Sequence, residues 1–462
     1  MYFRQFYLGC LAHASYLVGA GGEAAVVDPQ RDIDIYLEDA KAHGLHIKHV
    51  IETHCHADFV SGHHALAAHT GAKIYFGAAA HPKFESIPVH EGDEIAMGSV
   101  ALRFLETPGH TPESISILIL DREKSSTTPF GVLTGDTLFI GDVGRPDLLG
   151  SRMSATDLAG MLFDSLHTKL LTLPDETKVF PAHGAGSMCG RNISSETSST
   201  IGEQRKFNYA VQPMSRDAFI QMMTTDLPEA PAYFSRDAQI NLEGPALIEE
   251  LPEPIAFAPE AVQKMQRGGH LVLDTRPASQ FAAGHVAGSL NIALGGQFAS
   301  WAGSLIKPDV GIIIVAEDYA NVQEARTRLA RVGIERVSGY LNDGVLAWHE
   351  AGLPLATVEQ ISVEELRNRV DEKSVQTVID VRRPPEWNNG HVGGAVHMPL
   401  NHLTESAAPL GRDAKLAVMC AGGYRSSIAC SMLEQLGFQN ISNVVGGITA
   451  WNNAKLPVVN AG

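Results

Sequence analysis

The segment Thr53-His54-Cys55-His56-Ala57-Asp58-Phe59 holds the densest group of reactive side chains in this 462-residue chain. His49-Val50-Ile51 before it reads as a buried strand, and residues 61–69 after it read as a helix. Alternate residues of an extended segment project to one side, so His54 and His56 face together. Two neutral imidazoles and a carboxylate at the mouth of a sheet suit a divalent first-row metal. A histidine-rich surface loop is the plainer alternative, and the placement directly after a strand counts against it. Further groups of the same kind close other apolar runs. His110 sits in the turn Thr107-Pro108-Gly109-His110, Asp136 ends Val132-Leu133-Thr134-Gly135, and His183 follows Phe180-Pro181-Ala182.

A second chemistry lies near the other end. Ala417-Val418-Met419 reads as a buried strand ending at Cys420, and Cys420-Ala421-Gly422-Gly423-Tyr424-Arg425-Ser426 opens a helix. Successive backbone N–H groups in such a loop cradle an anion at a helix N-terminus. With the Arg425 charge they favour a Cys420 thiolate, the nucleophilic form, and afterwards a bound persulfide or sulfite. Gly422, Gly423, Tyr424 and Ser426 are then candidate substrate contacts. A merely structural Cys accounts for neither the glycines nor the Arg.

The elements that must position these groups fall into four stretches. Residues 1–245 carry the metal-type ligands on paired strands, with Asp32 expected to cap a helix running to Ala42. The Pro-, Glu- and Ala-rich stretch 228–259 lacks sustained periodicity, and a linker is placed at 246–258. Tyr233-Phe234 and Ile240-Asn241-Leu242 within it are expected to pack on the metal domain. Residues 259–356 and 357–462 then form an internal repeat. Asp274-Thr275-Arg276 matches Asp380-Val381-Arg382, and Gly284-His285 matches Gly390-His391, both at an offset of 106. Each copy alternates short apolar runs with helical stretches, as in an α/β domain.

Ligand-type residues at four strand ends resemble the metallo-β-lactamase fold, an αββα sandwich. In that family the loop reads His-x-His-x-Asp-His, and Phe59 stands here where the last His belongs. The resemblance implies that Asp58 and the missing His would serve the second metal of binuclear hydrolases such as glyoxalase II. With the apolar ring in that place the site looks like the persulfide dioxygenase branch. That likeness implies one Fe(II) ion held by His54, His110 and Asp136, a facial triad. His56, Asp58 and His183 would then orient ligands or bound water. Zinc is the alternative metal. Arg145, in the glycine-rich stretch 141–148, could bind a substrate carboxylate or pair with Asp147. The 181–190 loop is similar to that of dioxygenases fused to rhodanese domains, where Cys189 could be a redox-responsive thiol or a small packing residue.

The doubled Asp-x-Arg and Gly-His motifs look like the rhodanese family, and Cys420 to Arg425 match the six-residue loop of its sulfurtransferases. The first copy has Ala316 and Asn321 where the second has Cys420 and Arg425. It is expected to be an inactive scaffold or docking module. The fold class implied is mixed α/β and α+β, a metallo-β-lactamase sandwich followed by two rhodanese-like domains.

Composition narrows the partners. A net charge of −17 without a basic tract argues against nucleic acid. No apolar run approaches membrane-spanning length. The apolar stretch 6–20 is read as part of paired strands, 14–18 with 24–28, and not as a leader. Five scattered cysteines suit a reducing, cytoplasmic setting. A homo-oligomer is compatible with the sequence, which does not fix the state. The function implied by the resemblance is oxidation of a low-molecular-weight thiol persulfide by O2 to sulfite, with Cys420 passing sulfane sulfur to form or consume thiosulfate. A zinc thioester hydrolase of the glyoxalase II type and a non-turnover sulfur carrier or sensor are the alternatives.

Overall fold

The computed structural model describes residues 1–125, 128–148 and 153–460. They form two compact units, Met1–Leu251 with Leu329–Ile334, and Pro252–Arg328 with Glu335–Gly462.

The first unit contains two six-stranded sheets. One runs in order through β1 (Tyr2–Leu8), β2 (His13–Ala20), β3 (Glu23–Val27), β4 (His46–Ile51), β5 (Lys73–Gly77) and β6 (Ile87–Val89). The other contains β7 (Glu94–Met97), β8 (Val100–Glu106), β9 (Ile115–Asp121), β10 (Gly131–Gly135), β11 (Lys178–Pro181) and β12 (Ser199–Thr200). Period-two alternation sorts the residues of β2. Ala14, Tyr16 and Val18 join Leu102, Phe104, Ile117 and Leu133 in one core, while Leu17 packs with Val26, Tyr36 and Leu66 in another. The outer face of the second sheet, through Leu118, Val132 and Val179, is covered by Ala159, Leu162 and Leu166 of the helix Ala155–Thr168. Each fully buried leucine contributes about 1.5–3 kcal/mol through lost apolar exposure. Ser154 starts that helix by accepting a hydrogen bond from the Asp157 N–H at 3.1 Å. The result is two sheets packed face to face with helices outside, and the ends of β4, β10 and β11 open at one edge.

The second unit repeats a parallel five-stranded sheet twice. The first copy orders its strands Ile255–Phe257, Val337–Leu341, Ile312–Val315, Leu271–Asp274 and Leu290–Asn291. The second orders them Glu359–Ile361, Ile441–Val444, Leu416–Met419, Thr377–Asp380 and Val396–His397. In both copies the Asp-x-Arg motif is a buried lock. Arg276 grips Asp274 and donates to the Gly284 carbonyl at 2.9 Å, and Arg382 grips Asp380 and donates to the Gly390 carbonyl at 2.8 Å. The lock ties a strand end to the Gly-His turn beyond it.

Two expectations need correction. Asp32 does not cap the first helix, which starts at Asp34 after Ile33 with no side-chain cap. The Asp32 carboxylate accepts from Gln30 Nε2 at 2.9 Å instead. The stretch placed as linker at 246–258 contains the strand Ile255–Phe257, an edge strand of the first repeat. Three apolar residues between prolines are too short to show a period. Upstream of it, Phe234–Glu243 is a helix with Phe234, Asp237, Ala238 and Asn241 buried.

Candidate active sites

The metal loop is tied down from both sides. Asp28, which ends β3 at φ +52°, accepts hydrogen bonds from Thr53 N at 2.7 Å and Thr53 Oγ1 at 2.8 Å. Because the Thr53 hydroxyl donates to Asp28, it accepts from His54 Nδ1, 3.0 Å away. That fixes the tautomer and leaves the His54 Nε2 lone pair free. His110 Nδ1 donates to the Arg145 carbonyl at 2.8 Å, which frees its Nε2 in the same way. Asp136 Oδ1 accepts from His183 Nδ1 at 2.7 Å, so Oδ2 remains. The three free atoms converge, with Asp136 Oδ2 3.7 Å from His54 Nε2 and 3.5 Å from His110 Nε2. Gly144 permits the closure, since a Cβ there would stand 1.9 Å from the Asp136 carbonyl oxygen.

Charge state agrees with this geometry. Burial, with His56 beside it, holds His54 well below the ordinary imidazole range. Burial opposes ionisation of Asp136, but His183 and His54 outweigh it and hold the carboxyl well below its usual range. A neutral imidazole and a carboxylate are the forms that bind a cation. His54 Nε2 and Asp136 Oδ2 are both buried without a hydrogen-bond partner. Such orphaned atoms are costly unless an ion satisfies them. The residues therefore fit a bound metal ion.

The neighbouring groups divide. His183 Nε2 lies 2.8 Å from Asp58 Oδ2. Burial works against its charged form, but Asp136 and Asp58 raise its pKa to about 10. His56 turns away from the converging atoms, 3.1 Å from Asp28 and 3.3 Å from Glu52. Burial again opposes its charge, and those two carboxylates raise its pKa well above the usual value. Phe59 is fully buried, its ring 4.5 Å from the His56 ring and 4.1 Å from that of His13. Arg145 is also completely buried and its guanidinium is spent. It donates to Asp147 at 3.0 and 2.8 Å, to the Met188 carbonyl at 3.3 Å, and to the Pro228 carbonyl. Of its two readings, substrate contact and pairing with Asp147, the structure has the pairing. Cys189 forms a ligand-type cluster with Asp58 and His183. Burial, then Asp58 and Asp136, push its thiol well above the usual range, which disfavours a reactive thiolate.

Sequence reasoning missed several supports. Asn241 donates from Nδ2 to the His56 and Phe59 carbonyls at 2.8 Å each and accepts from Ser61 N at 2.8 Å. Glu113 accepts from Cys55 N at 3.0 Å. His13 is 1% exposed, and neither ring nitrogen has a hydrogen-bond partner. Asn241 lay in a segment expected to pack on this domain, but nothing in the sequence marked its side chain as the support, nor singled out Asp28, Glu113 or His13.

In the second copy of the repeat Cys420 follows the strand Leu416–Met419, and the helix Tyr424–Gln435 begins behind it. Gly423, at φ +108°, turns its N–H onto Cys420 Sγ at 3.1 Å. Ser426 Oγ lies 3.6 Å from the sulfur and donates to the Gly423 carbonyl at 3.1 Å. Arg425 does not stand as a lone charge beside the sulfur. It makes two 2.6 Å bonds to Glu386, a bidentate pair. Burial opposes ionisation of Glu386, but Arg425 keeps its pKa below the usual value. In the first copy Asp318 Oδ1 accepts from Asn321 N at 2.8 Å, so the loop already holds a carboxylate of its own.

A sandwich with ligand-type residues at its strand ends, followed by a duplicated α/β unit with one surviving cysteine loop, defines the class. The metallo-beta-lactamase superfamily model matches residues 8–183, and the rhodanese-like domain model matches 258–351 and 362–454. The chain belongs to the metallo-β-lactamase superfamily and carries two rhodanese-like domains in tandem. It is similar to a crystal structure of a metallo-beta-lactamase from Staphylococcus aureus, at 34% identity and a TM-score of 0.66, covering 73% of this chain and 98% of that one. Among curated proteins it is 28% identical over 228 residues to the human mitochondrial persulfide dioxygenase ETHE1, covering 48% of this chain and 79% of the relative. It is also 39% identical over 133 residues to a hydroxyacylglutathione hydrolase from Anaeromyxobacter dehalogenans, covering 28% of this chain and 48% of that protein. Among the described residues, no helix is long and apolar enough to cross a membrane.

Proposed function

We propose that the protein is an enzyme of sulfur metabolism that oxidises a low-molecular-weight thiol persulfide at one mononuclear iron site and transfers sulfane sulfur at Cys420. The observation that carries this reading is the convergence of His54, His110 and Asp136 on one point while Phe59 occupies the place of a further nitrogen ligand. Similarity to a persulfide dioxygenase supports it. The balanced reaction is RSSH + O2 + H2O giving RSH, SO3²⁻ and two protons. Bound iron would supply the one-electron chemistry that lets O2 react with a closed-shell sulfur anion. The chain's own residues set the conditions. Thr53 and the Arg145 carbonyl orient the two imidazoles, His183 holds a proton between Asp136 and Asp58, and Phe59 keeps that wall apolar. Sulfite made there is an acceptor for the Cys420 persulfide, and their reaction gives thiosulfate and returns the thiolate.

The test is metal analysis of anaerobically prepared protein beside O2 uptake with glutathione persulfide. About one iron per chain is expected, with both iron and uptake lost in His110→Ala and Asp136→Ala. A second reading, a binuclear zinc hydrolase acting on thioesters, draws on the Asp58, His183 and Cys189 cluster. Two tightly bound zinc ions with thioester hydrolysis would replace the first reading by the second.

A further inference from the structure

The first rhodanese copy has no nucleophile, yet it reaches the Cys420 loop. Tyr424 Oη donates to the Ala293 carbonyl at 2.8 Å, and Ser427 Oγ donates to Asn291 Oδ1 at 2.7 Å. Gly296 lies so close to the Tyr424 ring that a Cβ would stand 3.3 Å from it. These contacts hold the start of the helix Phe298–Leu305 beside the loop. Between the copies lies a cavity of about 410 Å³, with Cys420, Gly422 and Arg425 on one side and Gln297 and Trp301 on the other.

Two features of this cavity exceed what a small sulfur oxyanion requires, and a third sets the charge of the guest. Thiosulfate and sulfite have only a handful of heavy atoms, whereas cavities of about 300–1,000 Å³ hold organic ligands. The first copy also presents unused polar groups. Trp348 and Trp451 donate their indole N–H to the Pro354 and Pro457 carbonyls at 3.1 and 3.0 Å. Trp301 is only 6% exposed, and its indole N–H has no protein acceptor among the described residues. The Gln297 side-chain amide likewise has no protein partner among them. Finally, Arg383 and Arg425 line the cavity with Glu386 as the one acidic residue among its described lining residues, which favours an anionic guest.

We propose that Gln297 and Trp301 bind the organic body of a carboxylate-bearing thiol persulfide, making the first copy the recognition wall of the second copy's site. This rests on the reading of Cys420 as the sulfurtransferase nucleophile. The Cys420 thiolate attacks the outer sulfur of RSSH, an S–S bond forms at Cys420 as the one in the donor breaks, and the leaving thiolate takes the persulfide proton to become RSH. No external oxidant or reductant enters the step.

The test compares two donors on the full chain without O2, so that the metal site consumes no persulfide. Glutathione persulfide is paired with sulfite and read as thiosulfate, and thiosulfate is paired with cyanide and read as thiocyanate. The readout is the ratio of kcat/KM for the two donors. Gln297→Ala should lower that ratio about fivefold to tenfold against the organic donor, the effect of one lost hydrogen bond. Trp301→Phe, which keeps an aromatic ring and deletes the N–H, should lower it in the same direction. An unchanged ratio in both variants, whether the two rates hold or fall together, would overturn the proposal. No sulfur transfer from either donor in the unmodified protein would instead defeat the assignment of Cys420.

Discussion

Asn241 offers the sharpest perturbation of the metal domain, because it lies far along the chain from every proposed ligand and touches none of them through its side chain. It is 2% exposed and makes three 2.8 Å bonds to the loop, donating to the carbonyls of His56 and Phe59 and accepting from Ser61 N. Asn241→Ala removes all three at once and leaves buried backbone groups without partners. At about 1 kcal/mol for each bond the net loss is about 3 kcal/mol. For a unit of this size that corresponds to about 6–12 °C in Tm. Calorimetry should show the transition of the metal domain moving by that amount. Iron should also leave faster to a chelator, since the loop that carries His54 loses its clamp. Sulfur transfer from thiosulfate to cyanide at 25 °C should hold, because Cys420 shares no support with this loop. Asn241→Asp should be worse than Ala, since it keeps the acceptor for Ser61 but faces two carbonyl oxygens with a carboxylate. A Tm within 2 °C of the unmodified protein for Asn241→Ala, together with unaltered iron release, would refute the clamp.

Three further outcomes are expected. Cys420→Ser should abolish sulfur transfer while O2 uptake with a small persulfide survives, and loss of uptake on every free persulfide would show that the two sites are obligately coupled. Ala316→Cys in a Cys420→Ser background should not restore transfer, because Asp318 already occupies the Asn321 N–H and Glu317 adds a second negative charge beside the new thiol. Transfer near the unmodified level would show a working anion cradle in the first copy. Glu359, held by Arg369 and Ser442, has its pKa lowered to about 2, so its stabilising effect is present above the ordinary carboxyl pKa and is lost as pH falls toward 2. Glu359→Gln should therefore lower Tm at neutral pH by a modest, solvent-screened amount that vanishes near pH 2, and a difference that grew in acid would reverse the sign.

What could be read from the sequence was whatever is contiguous. His54 to Phe59 and Cys420 to Ser426 are short strings whose residue types and spacing identify chemistry without a partner elsewhere. The repeat was legible because Asp-x-Arg and Gly-His recur as a pair. The supports were not, because each is a lone polar residue that acquires meaning only across the fold. Asn241 reaches back to His56 and Phe59, and Glu386 meets Arg425. Arg145 could be narrowed to two roles from its neighbour Asp147, but choosing between them required its burial and its bonds to the Met188 and Pro228 carbonyls. The helix Phe234–Glu243 was hidden by the Pro-rich composition around it. Composition describes a stretch on average, whereas its buried face is set by the unit it packs against.

The duplicated Asp-x-Arg lock bears on how a copy of this kind can lack a nucleophile and keep a fold. Breaking a buried, hydrogen-bonded ion pair by changing one partner costs about 3–5 kcal/mol, a large part of a domain's total stability. Replacing the nucleophile at position 316 carries no such penalty, because an alanine ends the strand Ile312–Val315 without leaving any buried charge alone. Drift after duplication is thus channelled: the scaffold motif resists change while the reactive loop is free to wander. Scanning a genome for the lock therefore counts folded rhodanese units, and only the cysteine loop counts working ones.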